Sequence, residues 1–318
     1  MRALRFVEGE VRVEDLPIPE PEPGEVRLRL RRGGVCNTDL ELVRGYMGFS
    51  GTLGHELVGE VEALGEGADA GWLGARVCVD INFACGVCGT CTAGDPHHCP
   101  ERGVLGILAR DGAFAERLLA PQANLFRVPD AVSDDAAVFV EPLAAAFEIL
   151  EQVEVGAASR VLVLGDGKLG LLCAFALGTT GCALTVAGRH ERKLELAKAA
   201  GAAVTRDLGE ARGFDVVVEA TGREEGLAEA QDRVRPRGTI VLKSTFAGTP
   251  RVDTNRLVID EVRLVGSRCG PFDRALAALA AGEVDPTPLV DARFPLAEGV
   301  RAMERAATRG TLKVLLDP

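Results

Sequence analysis

The sequence predicts a two-domain α/β protein, with a β-rich first domain and a doubly wound parallel sheet after it. Three observations lead there. The chain has 318 residues, roughly two domains' worth. About the first 130 residues read as short strands between Gly and Pro, whereas from Ala136 onward Ala- and Leu-rich helical stretches alternate with short apolar runs. A glycine-rich turn, Gly165-Asp166-Gly167-Lys168-Leu169-Gly170, directly follows one such run and opens a helical stretch.

Composition narrows the function classes. Apolar residues at 47% and charged residues at 26% match a packed globular chain. A formal net charge of -11 argues against attraction to nucleic acid or anionic lipid, so neither is expected as a partner. The segment after Met1 lacks the apolar run of a signal peptide, and a cytoplasmic location is expected. Leu169 to Gly188 runs 20 residues without a charge, the length of a membrane span. Gly178-Thr179-Thr180-Gly181 breaks it, so it reads as a buried helix followed by a buried strand.

In chain order, Pro17, Pro19, Pro21 and Pro23 make a stiff extended connector. Val26 to Arg31 alternates apolar and Arg residues, the pattern of a half-buried strand whose arginines face solvent. Cys36-Asn37-Thr38-Asp39 follows that strand at the expected start of a helix, where the helix dipole favours an anionic ligand. Beyond Ala136, the strand candidates are Arg160 to Leu164, Ala183 to Ala187, Asp215 to Val218, Thr239 to Leu242 and Arg263 to Gly266. Helices are expected near 168 to 177, 190 to 200 and 224 to 234, with Gly201 at a helix C-terminus.

In its strand-turn-helix setting the glycine motif has a specific physical reading. Gly165 permits the tight turn, Gly167 lets the backbone approach a pyrophosphate, and Gly170 lets helix pack on strand. Asp166, Lys168 and Leu169 lie within the same dinucleotide-binding turn. An acidic residue at the end of the second strand would hold a free ribose 2'-hydroxyl. None stands there; Gly188-Arg189-His190 does, and the Arg189 guanidinium suits a 2'-phosphate, so NADP is expected over NAD. Thr221 and Ser267, at strand ends, are candidate cofactor-binding residues.

Nine cysteines without a secretion signal point to metal ligation or reduced thiols. Cys85, Cys88, Cys91 and Cys99 fall within 15 residues, and four thiolates satisfy a closed tetrahedral structural zinc site. An iron-sulfur ferredoxin run begins alike, but its final gap is three residues rather than seven. The adjacent His97 and His98 read as loop residues. A second, dispersed set comprises Cys36, His55 with Glu56, and Glu141, a thiol, an imidazole and carboxylates able to form an open zinc site.

Gly54-His55-Glu56-Leu57-Val58-Gly59, with Gly65 beyond it, resembles the zinc signature of the medium-chain dehydrogenase/reductase family of alcohol and polyol dehydrogenases. The Cys36 motif, the four-cysteine run and the glycine turn occur in that family's order. The resemblance implies a GroES-like catalytic domain over 1–141 and 271–318, and a Rossmann domain over 142–270. It also implies a catalytic zinc on Cys36, His55 and a carboxylate. Val140-Glu141-Pro142 is similar to the sorbitol, threonine and glucose dehydrogenase branch, so Glu56 and Glu141 are alternative ligands. Thr38 matches the hydroxyl that passes the alcohol proton toward the cofactor ribose, and Glu41 stands where many relatives carry a relay His. Tyr46, Met47 and Phe49 are cleft candidates.

The expected activity is zinc-dependent hydride transfer between an alcohol, polyol or sugar hydroxyl and a nicotinamide cofactor, in a homo-dimer or homo-tetramer. A zinc-free quinone or enone reductase would lack the Cys36, His55 and Glu141 set. A noncatalytic NADPH-binding relative would show no metal-dependent turnover.

Overall fold

The computed structural model describes residues 1–245 and 251–318. The chain forms two compact units, Met1–Glu141 with Val290–Pro318, and Pro142–Leu289.

At the centre of the first unit's largest sheet, the Glu25–Val35 strand pairs antiparallel with Glu56–Leu64, Arg117–Pro121 and Lys313–Asp317. Its alternation sends Val26, Leu28 and Leu30 into the core. The opposite face meets solvent and is ion-paired as well: Arg27 bonds Glu62, Arg29 bonds Glu60, and Arg31 bridges Glu60 and Asp134. The carboxyl-terminal strand joins this sheet through Val314, Leu315 and Leu316, opposite Val35, Gly34 and Gly33. Residues from the two ends of the chain therefore share one sheet.

The second unit is a six-stranded parallel sheet in the order Ala203–Thr205, Ala183–Ala187, Arg160–Leu164, Phe214–Glu219, Val234–Leu242 and Arg263–Gly266. That order is the doubly wound arrangement of dinucleotide-binding sheets. The first, second and fifth strands read from the sequence have the bounds observed. Ala203–Thr205, at three residues, is too short to carry a legible apolar pattern. The uncharged run resolves into the buried helix Lys168–Gly178 and the strand Ala183–Ala187. Among the described residues no helix is long and apolar enough to cross a membrane.

The chain returns to the first unit at Val290, not at 271 as the sequence suggested. The Phe272–Ala280 helix stays with the second unit, burying Phe272, Ala275, Leu276 and Leu279. Its Arg274 bonds Glu151 at 2.8 Å and stacks over the Phe147 ring. Gly270 makes this docking possible, since a Cβ there would lie 2.1 Å from the Ala144 carbonyl oxygen.

Candidate functional site

Cys36 caps the Asn37–Val43 helix, and Asp39, three residues on, reaches back to accept the Cys36 N–H at 2.8 Å. The other Asp39 oxygen accepts the Gly54 N–H at 3.2 Å and lies 3.3 Å from His55 Nδ1. One fully buried carboxylate thus ties together the two zinc motifs, which are far apart in sequence. No local apolar pattern marks Asp39 as a site residue, although its spacing from Cys36 is that of a capping box.

His55 and Glu56 enter on the turn into the Glu56–Leu64 strand, and both are buried. Gly34 leaves room for the Glu56 carboxylate, since a Cβ at 34 would lie 2.9 Å from its Oε2 and 2.5 Å from Val138 Cγ1. Lys313 pairs with Glu56, both side chains only 1% exposed, and its ammonium lies 5.3 Å from the centre of the Phe139 ring. Nothing local in the sequence marks this pair or its burial.

Cys36, His55 and Glu56 each offer a ligand atom within 4.8 Å of the others. The donor set of thiolate, imidazole and carboxylate fits a zinc ion with an open position. His55 Nδ1 is buried without a formed hydrogen bond, held near Asp39 much as a second carboxylate orients a metal-binding histidine. Burial pushes the imidazole pKa down, yet Asp39 and Cys36 outweigh it and hold the value well above the ordinary one. The pocket's field therefore favours a positive charge. Glu141 lies in the first turn of the Val140–Gln152 helix, outside that trio but within its field. Burial pushes its carboxyl up to about 7, with His55 and Lys313 pulling down and Glu56 pushing up.

Thr38 Oγ1 lies 3.7 Å from Cys36 Sγ. Glu41, on the same helix, bonds Arg44 at 2.6 Å. Tyr46 and Met47 are half exposed, whereas Phe49 is packed in the core with Leu40, Leu42 and Phe114, so the structure assigns Phe49 to packing.

Cys85, Cys88, Cys91 and Cys99 converge, with sulfur separations of 3.5 Å (Cys88–Cys91), 3.6 Å (Cys85–Cys99), 3.8 Å (Cys88–Cys99) and 4.0 Å (Cys85–Cys91). Four sulfurs at about 2.3 Å from a tetrahedral zinc stand about 3.8 Å apart, so the lobe has the dimensions of a closed site. The Cys91 N–H helps pull the Cys88 thiol down to about 6, toward the thiolate a metal needs. By contrast, burial pushes the thiols of Cys78 and Cys173 up, as suits inert core cysteines. His97 bonds Asp80 at 2.6 Å, and His98 bonds Asp95 at 2.9 Å.

In the second unit Gly165 has φ +118°, and a Cβ there would lie 2.5 Å from the Ala220 carbonyl oxygen. A Cβ on Gly170 would lie 2.2 Å from the Gly165 oxygen, while one on Gly167 would meet nothing within 4 Å. The turn is thus closed behind and open in front, the form a pyrophosphate cradle takes. Lys168 and Leu169 begin the following helix. Thr221 donates both its N–H and its hydroxyl to the buried Glu219, and Ser267 Oγ accepts from the buried Lys243 at 3.1 Å. Arg189 is exposed. Although no acid follows the second strand in sequence, folding brings one there, because the Asp166 carboxylate sits against Gly188.

A parallel dinucleotide sheet joined to a β-rich unit carrying such a ligand cluster defines, by class, a nicotinamide-linked oxidoreductase. The profile described as "Alcohol dehydrogenase GroES-like domain" matches residues 22–130, and the one described as "Zinc-binding dehydrogenase" matches 169–281. The chain is 31% identical to the starvation-sensing protein RspB of Escherichia coli, over 90% of this chain and 89% of that one. It is 29% identical to a sorbitol dehydrogenase of Halalkalibacterium halodurans, over 98% and 96%. An E. coli RspB structure complexed with NADH superposes with a TM-score of 0.94 at 28% identity, covering 100% of this chain and 99% of that one. A Sinorhizobium meliloti protein described as a zinc-binding dehydrogenase, and bound to NADP, gives 0.93 at 29% with the same coverage. The chain belongs to the zinc-binding alcohol, polyol and sugar dehydrogenases of the medium-chain dehydrogenase/reductase superfamily, and it is an enzyme.

Proposed function

We propose that the chain is a zinc-dependent, NAD(P)-linked dehydrogenase of a polyol, a sugar or another compound with vicinal hydroxyls. The observation that carries this reading is the convergence of Cys36, His55 and Glu56 within 4.8 Å, with Glu141 in the same field. One thiolate with carboxylate oxygen makes a harder site than two thiolates, and this suits a substrate that chelates through two oxygens. A zinc ion held there supplies Lewis-acid polarisation of the substrate hydroxyl, and a bound nicotinamide supplies the hydride acceptor. Cys85, Cys88, Cys91 and Cys99 would hold a second, structural ion.

The chain's own residues orient the ligands and move the proton. Asp39 fixes the Cys36 backbone and faces the imidazole, while Lys313 and Gly34 hold the Glu56 carboxylate in place. Thr38 Oγ1 receives the substrate proton and passes it on, and Glu41 accepts it through water. Glu41→Gln is expected to shift the pH–rate profile, and a profile that does not move removes Glu41 from the relay. Gly165, Gly167 and Gly170, with the N-terminal turn of the following helix, receive the cofactor pyrophosphate, Thr221 and Ser267 line its crevice, and Arg189 favours NADP through its 2'-phosphate.

We assign the enzyme to the cytoplasm as a homo-dimer or homo-tetramer. Exposed Val258, Ile259 and Leu264, at or near the edge strand Arg263–Gly266, support self-association. The decisive experiment is a panel of polyols, sugars and simple alcohols with NADP and with NAD, following nicotinamide absorbance. Turnover of vicinal diols that stops with a chelator is the expected result. Chelator-insensitive reduction of a quinone or enone would replace this reading.

A further inference from the structure

The position that reads the adenosine ribose is unusual in this chain. Gly188, directly after the second strand, has no side chain, and the volume a side chain would enter is already taken. A Cβ at 188 would lie 2.5 Å from Asp166 Cβ and 2.7 Å from both its Cγ and its Oδ2. Asp166, the second residue of the glycine turn, is 8% exposed. Its Oδ2 accepts the Arg189 N–H at 2.7 Å and the His190 N–H at 2.6 Å, and lies 3.0 Å from His190 Nδ1. All three contacts fall on one oxygen; among the described residues, none hydrogen-bonds Oδ1. A brace alone would use one oxygen in this way, but it leaves Oδ1 as a second acceptor of a carboxylate packed against Gly188, beside the strand end from which dinucleotide folds hold the ribose 2'-hydroxyl.

We propose that Asp166 is the ribose-reading carboxylate, delivered from the phosphate turn instead of from the end of the second strand, and that it opposes Arg189 in setting cofactor choice. Its free oxygen accepts the 2'-hydroxyl of NAD, while its charge repels the 2'-phosphate that the exposed Arg189 guanidinium attracts. Burial pushes the carboxyl pKa up, but the His190 and Arg189 N–H groups and the His190 ring outweigh it, so the group stays below its ordinary value and is anionic at neutral pH. The NADP preference proposed above is then a balance of two opposite charges at one turn.

This inference rests on the dinucleotide-binding reading, and the test separates the two. Dissociation constants of NADH and NADPH are measured by calorimetry on the full-length protein, without turnover. Asp166→Asn keeps an acceptor for the two backbone N–H groups but removes the charge. It is expected to move the ratio of NADPH to NADH affinity toward NADPH by about 10- to 100-fold, the scale of one charge-assisted hydrogen bond lost and one like-charge contact relieved. Arg189→Asp is expected to move it the other way. Asp166→Ser, which also lacks the charge but is smaller, provides the same readout should the asparagine variant fail to fold. Equal weakening of both cofactors, or no change, would overturn the proposal and leave Asp166 a brace. A wild-type protein that binds neither cofactor would instead sink the dinucleotide reading itself.

Discussion

On the proposed two-zinc reading, replacing Cys36 with serine is expected to remove one of the two ions, and with it at least about 1,000-fold of turnover, while the other ion stays. The magnitude follows from the chemistry the ion supplies, because Lewis-acid stabilisation of several kcal/mol corresponds to about three decades of rate or more. The selectivity follows from the structure. The Cys36, His55 and Glu56 cluster and the four-cysteine lobe share no ligand. The first is built as an open set of three different donors and the second as a closed set of four sulfurs, so a chelator should strip the first ahead of the second. His55→Ala is expected to behave like Cys36→Ser, whereas Cys99→Ser should release the other ion and loosen its lobe. Metal analysis by mass spectrometry beside steady-state rates reads both effects. If the Cys36 variant keeps both ions, or loses one with turnover intact, the cluster is not the catalytic centre.

What was legible in the sequence was local. Alternation exposed the Glu25–Val35 strand, and apolar runs bounded by Gly located the strands around the glycine turn, because these signals repeat within a few residues. The four cysteines were legible because a short loop places them close whatever the rest of the chain does. The supports of the candidate site were not. Lys313 meets Glu56 across 257 residues, and nothing local marks a lysine at the start of Lys313-Val314-Leu315-Leu316 as buried. Asp166 accepts the Arg189 N–H at the end of the second strand from 23 residues upstream, so a search along that strand finds no acid. Residues 271 to 289 show the same limit. The Phe272–Ala280 helix has an apolar face, but periodicity does not say which core that face enters. In each case the deciding partner is remote in sequence, and a charged residue at a buried position contradicts its own local pattern until that partner is known.

Lys313→Met is expected to destabilise the first unit far more than the loss of any of its exposed ion pairs. An exposed pair such as Arg44–Glu41 contributes at most about 1 kcal/mol, because water solvates either charge when its partner is lost. Lys313 and Glu56 are both 1% exposed, so removing the ammonium strands a carboxylate that water cannot reach, at a cost of about 3–5 kcal/mol. Glu141 adds to that cost, since Glu56 already pushes its carboxyl up and the ammonium that pulls it down would be gone. For a unit of this size the penalty corresponds to a fall in Tm of about 6–20 °C. The loss should be largest in chelator-treated protein and smaller with zinc present, because the ion supplies Glu56 with another positive neighbour. The double variant Lys313→Met/Glu56→Gln separates charge from packing: it removes the stranded anion and is expected to recover most of the lost stability. Circular dichroism melts of the wild type, the two single variants and the double variant complete the cycle. A Lys313→Met protein that melts with the wild type in chelator would show that the buried pair does not hold the last strand against the Glu56 strand's end of the sheet.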